Sequence, residues 1–162
     1  MRERPFRRPA PFGVLLVLVA GSAASAPPPR PARPDLVVTV EVHRELRSDG
    51  WLVRLRVDLR NEGDAPAGPS TAGAWCRAVE GGPCPALEGS YDVGPAPAPG
   101  ATGVVRLPSP ALPPGGSAFV FGPRTKPWPS GVYLLGAAAD VLSAVEESTE
   151  GNNAATASVR VP

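Results

Sequence analysis

Few residues in this chain have the type and spacing that chemistry needs. Cys76 and Cys84 are the only cysteines, and His43 is the only histidine. Two thiols this close, with Gly81-Gly82-Pro83 between them to turn the chain, predict a disulfide staple if the protein meets an oxidising compartment. A loop this short contributes at best ~2–3 kcal/mol by the chain-entropy model. It is also too short to be the inter-sheet disulfide of antibody domains, which joins distant strands.

The second group is a run of side-chain oxygens: Asp140, Glu146, Glu147, Glu150, Asn152 and Asn153. Calcium takes about six to eight oxygen ligands, so Asp140, Glu147, Glu150 and Asn152 form a candidate calcium site. The competing account is that the three glutamates are solvated, Asp140 bonds loop amides, and the asparagines cap a turn. EF-hand spacing is absent. His43 falls on the polar side of an alternating segment, away from any nucleophile elbow. No G-x-S-x-G, H-E-x-x-H, P-loop or G-x-G-x-x-G motif occurs, and the chain is not expected to be an enzyme. Arg54, Arg56 and Arg60, with Asp58 among them, line one side of a segment. They offer either a docking surface for an anionic glycan or a solvated face. Trp75, Tyr91 and Trp128 are the aromatic residues expected to form an interaction surface.

The elements that must position these residues read as strands. Leu36, Val38, Val40 and Val42 alternate with Thr39, Glu41 and His43. Trp51, Val53, Leu55, Val57 and Leu59 alternate with Arg54, Arg56, Asp58 and Arg60. Period two is the pattern of a half-buried strand. Ser48-Asp49-Gly50 supplies the hairpin turn between the two runs. Further strands are expected over residues 71–79, 104–107, 117–121, 131–141 and 154–161. The segment 142–150 is the only stretch compatible with a helix, and it is short enough to be one turn or a loop. About seven evenly spaced strands with Gly and Pro between them predict an all-β, immunoglobulin-like antiparallel sandwich. The 23 prolines and 18 glycines fall mostly at these turns.

Ahead of the strands, Arg2, Arg4, Arg7 and Arg8 precede an apolar run over residues 12–20 and small residues up to Ala26. That is the order of a cleavable secretion signal, and the apolar run is too short to span a bilayer. Residues 1–26 are read as the signal peptide and 27–34 as a stiff Pro-rich linker. The domain is placed at 35–162. Of the 16 basic and 15 acidic residues, twelve and fourteen remain outside the signal. This balance lacks the basic excess of a nucleic-acid binder.

Several short motifs carry a resemblance. They are Pro34-Asp35-Leu36, Arg60-Asn61-Glu62-Gly63, Leu112-Pro113-Pro114-Gly115-Gly116, Gly131-Val132-Tyr133-Leu134 and Ala139-Asp140. The last is Val145-Glu146-Glu147-Ser148-Thr149-Glu150-Gly151-Asn152-Asn153. Together they resemble the CARDB family, a cell-adhesion-related domain found in bacteria, over about residues 35–161. The resemblance implies an immunoglobulin-like sandwich, an extracellular or envelope location, and use as an appended or repeated module. The segment 76–100 is an insert relative to that pattern. The expected function is a secreted, non-catalytic module for adhesion, or for binding an extracellular or envelope protein or glycan. The alternative is a structural spacer, with calcium as a stabilising ion.

Overall fold

The computed structural model describes residues 30–86, 93–94, 101–122 and 124–162. The expected signal peptide and Tyr91 lie outside them. Eight strands follow in order: β1 (Leu36–Arg47), β2 (Gly50–Asn61), β3 (Ser70–Gly81), β4 (Val93–Gly94), β5 (Thr102–Ser109), β6 (Ser117–Phe121), β7 (Gly131–Ala138) and β8 (Ala154–Val161). Seven coincide with the alternating segments of the sequence. The eighth, β4, is two residues long and falls in the insert. The segment 142–150 forms turns and bends and no helix.

The strands form two antiparallel sheets, ordered β1-β2-β6 and β4-β5-β3-β7-β8. Alternation sends one face of each inward. Leu36, Val38, Val53, Leu55, Val57 and Leu59 come from the smaller sheet, and Ala72, Ala74, Val105, Leu107, Tyr133, Leu135, Ala137, Val159 and Val161 from the larger.

One end of the sandwich is organised by Asn61, which is fully buried. Its Oδ1 accepts the N–H groups of Asp35 and Gly63, both at 3.1 Å. Its Nδ2 donates to the carbonyls of Ala65 at 2.8 Å and Leu112 at 3.0 Å. Its own main chain bonds Gly115 and Gly116. Three of the motifs quoted above thus meet on one side chain. Arg33 and Pro34 belong to this end as well, so the linker stops short of them. The Arg33 carbonyl accepts from Asp64 and Ala65, and the Pro34 carbonyl from Ser148. Gly63 is required here, because a Cβ would overlap the Arg33 carbonyl.

The opposite end holds Trp128, Tyr133 and the chain terminus. Trp128 and Trp51 form an isolated bridge, and Ser130 Oγ donates to the Pro162 carbonyl at 2.6 Å. The domain's chain therefore enters at the Asn61 end and leaves at the Trp128 end. Among the described residues no helix is long and apolar enough to cross a membrane.

Candidate functional site

The acidic loop after β7 is less exposed than its composition suggests. Asp140 adopts a left-handed conformation, φ 41°, which turns its carboxylate back over the loop. There it accepts the amides of Ala144 at 2.9 Å and Val145 at 2.7 Å. Both oxygens are committed to the turn. Glu147 is 4% exposed. Its Oε2 accepts the Leu36 amide at 2.5 Å and its Oε1 accepts Asn153 Nδ2 at 3.0 Å. Burial raises the Glu147 pKa above the ordinary glutamate value, the Leu36 bond opposes this, and Glu150, Asp140 and Asp35 add to the rise. Glu146 stays in solvent with Arg33 at 2.8 Å.

Asn152 Nδ2 donates to Asp35 at 2.9 Å. The amide oxygens of Asn152 and Asn153 are buried and have no partner among the described residues. Glu150 is exposed and meets Asn153 at 3.4 Å. Of the four residues expected to ligate calcium, Asp140 and Glu147 already accept one protein donor on each carboxylate oxygen. Among the described residues, no group of three or more His, Cys, Asp or Glu side chains is placed to hold a metal ion. The buried acceptors left without a donor among the described residues are the two asparagine oxygens.

Cys76 and Cys84 are bonded, with a Cα–Cα distance of 6.2 Å. A disulfide of this kind fits an oxidising, extracellular type of compartment. It borders an apolar cavity of about 270 Å³ between the sheets, lined among others by Val53, Leu55, Val105 and Trp128. Trp128 is 7% exposed. Its ring packs edge-on against Tyr133, centroids 4.8 Å apart, and its Nε1 donates to Thr125 at 2.8 Å. It is a core anchor rather than a surface residue. Tyr133 donates its hydroxyl to the Pro129 carbonyl at 2.9 Å, and burial raises its pKa. This is the back-bond expected of a tyrosine that opens a late strand. Trp75 is half-buried and lies over Gly136, where a Cβ would overlap the indole.

Among the described residues, the exposed aromatics are elsewhere. Phe119 and Phe121, 55% and 51% exposed, stand on the outer face of β6 with ring centroids 5.6 Å apart. The sequence S-A-F-V-F carried this signal, since alternation puts both rings on the face shared with Arg54, Arg56 and Arg60. The Arg56 guanidinium lies 4.6 Å from the Phe119 ring centre and is held by Asp58 at 2.7 Å, a stacked and chelated geometry that Arg favours. Farther along β2, Arg54 lines a polar cleft of about 260 Å³ with Arg47, Asp49, Trp51 and Arg124. Arg47 is paired with Glu45 at 3.1 Å. His43 stays on the outer face, 3.6 Å from Glu41. The structure thus sets an aromatic pair beside the middle of the arginine row, opposite Arg56 and Asp58, and a polar cleft at its Arg54 end.

No protein-family model matches the chain, and no curated protein matches its sequence. Solved structures do share its architecture. One is the crystal structure of the CARDB domain of the PF1109 protein from Pyrococcus furiosus, in complex with di-metal ions. It has a TM-score of 0.56 and 20% identity, covering 80% of this chain and 90% of that one. The solution NMR structure of the same domain gives a TM-score of 0.53 and 22% identity, covering 80% and 95%. The fold of this chain is that of a CARDB-like domain.

Proposed function

We propose that the chain is an exported, non-catalytic binding module that takes an anionic surface glycan on the outer face of its β1-β2-β6 sheet. The observation that carries this is the exposed Phe119–Phe121 pair on the same sheet face as Arg54, which lines a cleft with Arg47, Trp51 and Arg124. Exposed aromatic rings stack against the apolar faces of sugar rings. Guanidinium groups present planar donors to carboxylates. An exposed aromatic patch on a small domain commonly marks an interaction site. The apolar run and small-residue tail of residues 1–26 supply the export signal, and the disulfide fits that route. Titration calorimetry against uronic-acid polysaccharides tests the proposal. Binding should weaken at least tenfold in Phe119→Ala and in Arg54→Ala, and should fall with added salt. Binding of a protein partner in place of any polysaccharide, or insensitivity to both substitutions, overturns it.

A second reading is favoured by the orphaned oxygens of Asn152 and Asn153. With Glu150 they would hold one calcium ion and brace the loop that clasps β1, making the domain a calcium-stabilised spacer. A thermal midpoint unchanged between EDTA and millimolar calcium rejects it.

A further inference from the structure

Among the described residues, the outer edge of β6 carries none of the protection that sheet edges normally have. Edges are blunted by charge, proline, bulges or shortness. β1 carries Glu41, His43, Arg44, Glu45 and Arg47, and its flank is tied to β8 through the bond from Arg44 to the Arg160 carbonyl at 2.6 Å. β4 is two residues long and β8 carries Arg160. β6 reads Ser117-Ala118-Phe119-Val120-Phe121, with no charge, no proline and no register shift against β2.

The register shows which main-chain groups face outward. Gly122 N–H donates to Leu55, and Asn61 N–H donates to Gly116. Hydrogen-bonded pairs alternate along an antiparallel ladder, so Val57–Val120 and Leu59–Ala118 are the bonded pairs between them. The N–H and C=O groups of Ser117, Phe119 and Phe121 therefore point to the open edge. They have no main-chain partner among the described residues.

We infer that this edge pairs with β6 of a second copy, giving a two-fold dimer with one continuous six-strand sheet. Only one antiparallel register uses all the outward groups: Phe119 opposite Phe119, and Ser117 opposite Phe121 at each side. That register is self-complementary in size, because the small Ser117 leaves room beside each Phe121 ring. It is also complementary in charge. The strand is neutral, and the two cations opposite it on β2, Arg56 and Arg60, each face a carboxylate, Asp58 at 2.7 Å and Glu62 at 3.8 Å. The two glycan faces would then lie on one platform, although the dimer itself requires no glycan.

The test is light scattering or sedimentation of the purified protein without glycan, from micromolar to millimolar concentration. The dimer mass is expected, and Phe119→Lys, which sets two ammonium groups face to face, should halve it. Phe119→Cys should cross-link two copies, because directly opposed Cα atoms about 5.5 Å apart fit a disulfide. Phe121→Cys should not, because its symmetry mate lies about 14 Å away along the strand. The cysteine pair decides the matter even if Phe119→Lys fails to fold. A monomer at every concentration, a dimer unmoved by Phe119→Lys, or equal cross-linking from both cysteine variants overturns the inference.

Discussion

Glu147 holds the first residue of β1 from the far side of the chain: its carboxylate accepts the Leu36 amide at 2.5 Å across 111 positions. The bond satisfies a buried main-chain donor at the start of β1. It also places a carboxylate where water barely reaches, and burial accordingly raises its pKa. A buried donor without its acceptor costs about 1–3 kcal/mol, so Glu147→Ala should destabilise by that amount in denaturant titration.

The same residue should make stability depend on pH. Its folded pKa is raised, so the folded state holds the proton more tightly than the unfolded state. Its contribution is full below the ordinary value of 4.5 and is lost as pH rises through the raised folded value. Denaturant midpoints followed upward from pH 4 should show that loss in the parent protein. Glu147→Gln, which cannot ionise, should flatten it.

Asn61 makes four side-chain hydrogen bonds while fully buried. Asn61→Ala should cost about 2–4 kcal/mol, since several buried groups lose partners at once. Asn61→Asp keeps the two acceptor bonds but turns an oxygen toward the carbonyls of Ala65 and Leu112. It too should be destabilised, with partial recovery in acid as the new carboxyl protonates.

Trp75 and Gly136 are complementary in volume. Gly136→Ala should cost about 1–3 kcal/mol by overpacking. In a Trp75→Ala background the same substitution should cost much less. A double-mutant cycle measures the difference, and an additive result would show that the indole does not rest on Gly136.

Reduction of the Cys76–Cys84 bond should lower stability by no more than about 2–3 kcal/mol without abolishing the fold. The loop is short, and the buried core draws on five strands besides β3. Intact mass with and without reductant, together with the thermal midpoint, checks both halves of this statement.

The strands were legible because alternation is local. Val53, Leu55, Val57 and Leu59 alternate with charged neighbours, and nothing distant is needed to see which way they face. The disulfide was legible for the same reason. Trp75 and Trp128 were expected at the surface, but a tryptophan's exposure depends on what lies opposite it. Here that is Gly136 for one and Tyr133 for the other, and neither pairing follows from spacing. Asn61 and Glu147 were harder still. One reads as an ordinary turn former and the other as an ordinary surface acid. Their burial arises only when Asp35, Leu36, Leu112 and Asn153 converge from separate parts of the chain. The aromatic pair on β6 was visible in the pattern but had no meaning until the register set it beside Arg56.

The entry of the domain at the Asn61 end and its exit at the Trp128 end have a mechanical consequence. Tension applied through the two termini runs along the strands rather than across them. It loads the β1–β2 ladder, which is in register over twelve residue pairs, in shear, so its bonds must yield together instead of unzipping one by one. The Asn61 and Glu147 clasps sit where that load enters, at the first residues of β1. Such a domain resists being pulled from end to end and adds its full length to whatever it joins.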